Sequence, residues 1–135
     1  MRVVLDTNVI VSAVLTPDGP CARIVDLLAA GALTVCADDR ILAEHDEVLR
    51  RPALKIDPGN IEGLLDLVRS AALPVAALPL DVSLPDPDDL LFLEVATAAQ
   101  AVLVTGNDRH YPRHSRFDVR ILSPREFLDL IRRSS

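Results

Sequence analysis

Short, mainly apolar runs alternate along this chain with longer stretches in which apolar residues return every three or four positions. Val3–Leu5, Leu33–Cys36, Ala101–Val104 and Val119–Leu122 are runs of the first kind, the pattern of parallel strands buried on both faces. The stretches between them predict helices. Val9–Leu15 reads as a short helix that breaks at Thr16-Pro17-Asp18-Gly19-Pro20, and a second, roughly residues 21–30, stops at Gly31, a residue suited to a C-cap. Asp38 or Asp39 can cap a third helix that carries Ile41, Leu42, His45, Val48 and Leu49 and ends at Arg50-Arg51-Pro52. Asp57-Pro58 opens a fourth with the stripe Ile61, Leu64, Leu65 and Val68. From Leu73 to Leu84, Pro74 and Pro79 interrupt the pattern and Pro85 follows, so a short strand and a loop are expected. Asp86-Pro87-Asp88-Asp89 opens a helix through Ala99, and Ser123-Pro124-Arg125-Glu126 opens the last with a capping box.

Strands alternating with helices predict an α/β fold: a three-layer α/β/α sandwich around a mostly parallel central sheet. No repeat, low-complexity tract or linker divides the chain, so residues 1–135 are expected to form one domain. In such sheets ligands bind beyond the carboxyl ends of the strands. Asp6 and Asn107 each lie just past such an end.

Composition narrows the function classes. Half of the residues are hydrophobic, enough for a core, but Phe92, Phe117, Phe127 and Tyr111 are the only aromatics, which disfavours base-stacking platforms. The net charge of -6 argues against a basic nucleic-acid coat. It leaves room for a nucleic-acid enzyme whose metal-binding acids subtract the charge. Every basic residue but Lys55 is arginine, a bias that says little about chemistry. Cys21 and Cys36 match no zinc spacing and are expected to be reduced and in or near the core. No apolar run approaches the roughly 20 residues of a membrane span, and Met1-Arg2-Val3-Val4-Leu5 is too short for a secretory signal. A soluble, cytoplasmic protein without a membrane partner is expected.

Four acidic or amide stations stand at strand ends or on neighbouring helices: Asp6, Glu44, Asp86/Asp88/Asp89, and Asn107/Asp108. Carboxylates gathered in one place repel one another and are held together by a hard cation. Each station also has an ordinary reading. Asp6, Thr7 and Asn8 could cap the first helix. Glu44 could be solvated like Asp46 and Glu47, although its position within a turn of Ile41 and Val48 borders the core. The acids from Asp86 to Asp89 suit a helix N-terminus, and Thr105-Gly106-Asn107-Asp108 could be a plain turn. The dense basic patch Arg109-His110-Tyr111-Pro112-Arg113-His114-Ser115-Arg116 follows at once. His110 and His114 are spaced i,i+4 but have no zinc motif around them.

Taken together, Val3-Val4-Leu5-Asp6-Thr7-Asn8-Val9, Ile41-Leu42-Ala43-Glu44 with Val48-Leu49-Arg50-Arg51-Pro52, Asp86-Pro87-Asp88-Asp89 with Phe92-Leu93 and Ala96, Val102-Leu103-Val104-Thr105-Gly106-Asn107, and Leu122-Ser123-Pro124-Arg125-Glu126-Phe127-Leu128 resemble the PIN-domain ribonucleases. The likeness is nearest to the VapC-like toxin component of bacterial toxin–antitoxin systems, and it spans essentially the whole chain. It implies that Asp6, Glu44 and Asp89 are catalytic and bind Mg²⁺ or Mn²⁺, with Asn107 at a fourth metal position where many members have Asp. Asp108 could take that place by a one-residue shift. Thr7, Asn8, Asp86 and Thr105 would support the site.

The reaction so implied is metal-dependent hydrolysis of an RNA phosphodiester, with one or two ions left open. Arg109, Arg113 and Arg116 are the expected RNA-backbone contacts. A cognate antitoxin and a homodimer or higher homo-oligomer are the expected protein partners. Two other readings stand beside it. One is a phosphatase with Asp6 as nucleophile, which needs a second acid where the chain has Asn8. The other is a catalytically weak or inactive PIN-like module that acts by binding protein.

Overall fold

Five parallel strands form one sheet in the order β3-β2-β1-β4-β5: β1 (Arg2–Leu5), β2 (Thr34–Ala37), β3 (Leu73–Pro74), β4 (Val102–Val104) and β5 (Ile121–Leu122). The computed structural model describes residues 1–134. Six α-helices connect and cover the strands: α1 (Thr7–Leu15), α2 (Pro20–Ala29), α3 (Asp39–Leu49), α4 (Pro58–Ala71), α5 (Leu90–Ala99) and α6 (Pro124–Ser134). The expected α/β sandwich with its parallel sheet is what the chain forms, and all of its strand pairs are parallel.

Alternation along the central strand builds two cores. Val3 and Leu5 join one with α1, α2, α4 and α6, through residues such as Ile10, Ile24, Leu65 and Phe127. Val4 joins the other with α5 and Tyr111, through Phe92, Leu93 and Ala96. α3 contributes to both, Leu49 to the first and Ile41 to the second. Cys21 and Cys36 are free thiols buried in these cores.

Helix ends follow the local chemistry read from the sequence. Asp38 accepts from the Ile41 N–H at 3.0 Å and Asp57 from the Gly59 N–H at 3.0 Å. Gly31 closes α2 with φ +74°, where a side chain would be strained, and the Ala32 N–H returns to the Leu27 carbonyl. Ser123 and Glu126 bond reciprocally, N–H to side chain in both directions, at 2.9 and 3.1 Å. Residues 75–86 have no regular structure and are fastened by the buried Glu94, which accepts from the Leu80 N–H (2.9 Å) and from Arg40 (2.7 Å). β5 begins at Ile121, two residues later than the apolar run at Val119 predicts.

The chain runs outward from β1 to β2 and β3, then crosses back to place β4 on the other side of β1. That reversal leaves a crevice beyond the carboxyl ends of β1 and β4, the place where open α/β sheets bind ligands. Asp6 ends β1 there, and its N–H donates to the Val104 carbonyl at 3.0 Å. Thr105 ends β4 beside it.

Candidate active site

Asp6 is 4% exposed and does not cap α1 with its side chain. Its carboxylate turns into the crevice instead, where Oδ2 accepts from the Tyr111 hydroxyl (2.9 Å) and from the Thr105 hydroxyl (3.0 Å). Burial raises its pKa, and the hydrogen bonds from Tyr111 and Thr105 only partly oppose this. Burial also raises the Tyr111 hydroxyl, so that group stays a neutral donor.

Asp86-Pro87-Asp88-Asp89 does not start the α-helix directly. Asp86 caps a 3-10 turn over Pro87–Asp89 by accepting from the Asp88 N–H at 3.0 Å, and α5 continues from Leu90. The turn aims Asp89, 8% exposed, into the crevice while Asp88 stays outside. Burial, then the negative charges of Asp6 and Asp86, push the Asp89 pKa up to about 6. His110 Nδ1 lies 2.7 Å from Asp89 Oδ2. Ligand atoms of Asp86, Asp89 and His110 all lie within 4.8 Å of one another.

α3 carries Glu44 to the same rim. Its neighbours are occupied elsewhere: Asp46 pairs with Arg50 and Arg69, and Glu47 with Arg51. Glu44 is half-buried, and burial followed by the charges of Glu47, Asp88 and Asp6 raises its pKa. The charge of Asp6 helps to raise the pKa of both Asp89 and Glu44. Among the described residues the ligand atoms close enough to share one ion are those of Asp86, Asp89 and His110, and Asp6 and Glu44 stand outside that group. Oxygen donors under mutual repulsion, beside one imidazole, fit a divalent cation; the charge of the ion would reverse the penalty.

The supporting residues are also drawn together. Thr7 Oγ1 is 2.8 Å from His45 Nδ1, which ties the start of α1 to α3. His45 stacks on Phe92 with ring centroids 6.1 Å apart, and burial lowers its pKa to about 4. Asn8 Oδ1 accepts from the Gly106 N–H at 3.0 Å, and Asn8 Nδ2 donates to Thr105 Oγ1 at 3.3 Å. A Cβ at position 106 would meet Asn8 Oδ1 at an ordinary 3.5 Å, so Gly106 serves through its N–H and not through its lack of a side chain.

Asn107 places its amide Nδ2 2.8 Å from His110 Nε2. Asp108 is exposed at the start of the following 3-10 turn, outside the Asp86, Asp89 and His110 group. Arg109 and Arg113 are exposed near this mouth, whereas Arg116 directs Nε to the Tyr111 carbonyl at 2.7 Å. The sequence reading did not place His110, Tyr111 or His45 in the site. In the sequence His110 reads as part of the basic patch and as half of an i,i+4 pair, and its partner there, His114, is exposed and outside the group. A tyrosine in a polar loop that is nonetheless 0% exposed has no sequence signal of its own.

A family model of the PIN domain matches residues 2–109. The chain belongs to the PIN domain family. An uncharacterized protein of Methanocaldococcus jannaschii, MJ1680, is 24% identical over 96% of this chain and 90% of its own length. Among solved structures, a chain of VapBC2 from Rickettsia felis, bound to a DNA fragment from its promoter, superposes with TM-score 0.58 at 20% identity, covering 91% of this chain and 98% of that one. A chain of FitAB bound to an IR36 DNA fragment gives TM-score 0.57 at 19% identity, covering 90% and 94%. At these identities the structural likeness establishes the fold. His110 and Tyr111 lie immediately beyond the residues that the family model matches.

Proposed function

We propose that this PIN domain is a Mg²⁺- or Mn²⁺-dependent endoribonuclease and the toxin of a toxin–antitoxin pair. The observation that carries the reading is the negative charge of Asp6, beside the strand-order reversal, acting on both Asp89 and Glu44 and helping to raise the pKa of each. Asp6 and Asp89 would hold the ion directly, and Glu44 would hold it through water or help to hold a second one. Bound there, the ion supplies Lewis acidity, making water a nucleophile near neutral pH and offsetting charge on the phosphoryl and leaving oxygens. Thr105 and Tyr111 fix the direction of Asp6, and His110 fixes that of Asp89. Arg109 and Arg113, exposed on the segment around His110, would meet the RNA backbone as sequence-independent phosphate contacts. Water forms one new P–O bond, the P–O bond to the departing ribose oxygen breaks, and that oxygen takes a proton.

Likeness to the VapBC2 and FitAB chains supports an antitoxin as the protein partner. A homo-oligomer is part of the same proposal, as is action in the cytoplasm, where RNA is the substrate. No helix among the described residues is long and apolar enough to cross a membrane.

The test is incubation with tRNA, rRNA and mRNA fragments and with DNA, in Mg²⁺, in Mn²⁺ and in EDTA. EDTA-sensitive cleavage of at least one RNA class is expected. Equal cleavage with and without EDTA, or none under any condition, overturns the proposal.

A further inference from the structure

We propose that Asn107 serves this site as a brace acting through His110, and not as a metal ligand. The inference rests on the metal-dependent reading above, and it assigns positioning roles to Asn107 and His110.

Asn107 follows Thr105-Gly106 at the carboxyl end of β4, and its amide brings no charge to a cation. Its backbone N–H and its side-chain nitrogen each face another side chain, while its carbonyl accepts from the His110 N–H at 3.2 Å. Its backbone N–H donates to Thr105 Oγ1 at 3.1 Å, and Thr105 spends its single hydroxyl proton on Asp6 Oδ2 at 3.0 Å. Its side-chain Nδ2 faces His110 Nε2 at 2.8 Å, and His110 Nδ1 faces Asp89 Oδ2 at 2.7 Å. One residue therefore supports both principal carboxylates, Asp6 through a hydroxyl and Asp89 through an imidazole.

The proton inventory gives this relay a direction. An amide nitrogen only donates, so Nε2 must accept. A neutral imidazole then carries its hydrogen on Nδ1, the atom that faces Asp89. Asp89 Oδ2 is thereby engaged by the ring, as Asp6 Oδ2 is by Thr105 and Tyr111, so each carboxylate is held in one direction. A carboxylate at position 107 would accept from Nε2 and set the hydrogen on the wrong nitrogen or charge the ring. Partners that orient metal-ligating carboxylates typically contribute 10–100-fold in metal affinity, so order here replaces a fourth charge.

The test combines histidine ¹⁵N spectra of the metal-free protein, taken at about pH 8 where a free imidazole is neutral, with Mn²⁺ titrations of wild type, Asn107→Ala, His110→Ala and the double variant. The expected spectrum has the hydrogen of His110 on Nδ1, a preference lost in Asn107→Ala. Each single variant should bind Mn²⁺ about 10-fold more weakly, and the double variant no more weakly than His110→Ala alone, because the Asn107 side chain acts only through the ring and its backbone N–H to Thr105 is kept in the alanine variant. A hydrogen found on Nε2, or losses that multiply in the double variant, overturns the proposal. The spectrum needs no variant, so poor folding of a variant leaves it decisive. RNA cleavage by wild type is scored separately: if Mn²⁺ binds but no RNA is cut, the nuclease reading fails while the brace is still judged by its own results.

Discussion

The Tyr111 hydroxyl donates to Asp6 Oδ2 at 2.9 Å, joining the loop after β4 to the end of β1. Asp6 is thus oriented by a residue that has no contact with solvent. Tyr111→Phe keeps the ring and removes only the donor. It should preserve the circular dichroism spectrum, lower metal-free stability by about 1.5–3 kcal/mol, as for a hydrogen bond to a charged group, and weaken Mn²⁺ binding by about 10-fold. Unchanged Mn²⁺ affinity in a calorimetric titration would remove Tyr111 from the site.

Repulsion in the site has a consequence for pH. The folded-state pKa of Asp89 is raised from 3.8 to about 6, so between these values the folded chain holds a proton that the unfolded chain has lost. Stability from this group is present below the lower value and is lost as pH rises through the upper one. Asp89→Asn has no charge to repel. Relative to wild type it should gain about 1–2 kcal/mol near neutral pH after allowance for solvent screening, and little near pH 4. Urea melts of both proteins at the two pH values, without metal, check this; an equal difference at both would contradict it.

His45 titrates with the opposite sign. Its pKa is lowered to about 4 from 6.5 by burial, so between those values the unfolded chain binds the extra proton. Stability from keeping His45 neutral is present above 6.5 and is lost as pH falls toward 4. His45→Gln retains a polar side chain near Thr7 but cannot ionise. It should be less stable than wild type near neutral pH, by about 1–3 kcal/mol for an imperfectly filled core position, and the gap should narrow on acidification. A gap that widens below pH 6 would refute the assignment.

How much of this could be read from the sequence depended on whether a residue sits on periodic structure. Asp6 and Thr105 were legible because apolar strands end beside them, and Asp38, Asp57 and the Ser123–Glu126 box because capping is local chemistry. Glu44 could be preferred over Asp46 and Glu47 from its place between Ile41 and Val48. The packing then accounts for the other two acids with Arg50, Arg69 and Arg51. His110 and Tyr111 were not legible in their roles. They lie in and just after a single 3-10 turn, where no repeat tells which side chains point inward, and their partners are 21 and 105 positions away. The irregular run 75–86 is likewise organised by one distant glutamate, Glu94.

That glutamate makes a further prediction. Glu94 joins Arg40 on α3 to the Leu80 N–H and so anchors the segment leading to Asp86. Glu94→Ala should leave Leu80 without its acceptor and lower stability by about 1–3 kcal/mol. Amide exchange should quicken at residues 78–86 ahead of the rest of the chain. Uniform exchange across the chain would show that the segment is held by other contacts.

Asp6 is, on the proposed function, the first corner of a cation site at which RNA is cleaved. Asp6→Asn removes one ligand charge with almost no change in shape. The decisive measurement compares RNA cleavage in Mn²⁺ by wild type and Asp6→Asn, with the Mn²⁺-induced shift in melting temperature recorded on the same samples. Cleavage and an upward shift are expected for wild type. Asp6→Asn should give a folded, metal-free protein at least as stable as wild type, with cleavage abolished and the shift largely lost. Cleavage by Asp6→Asn at the wild-type rate would contradict that role for Asp6.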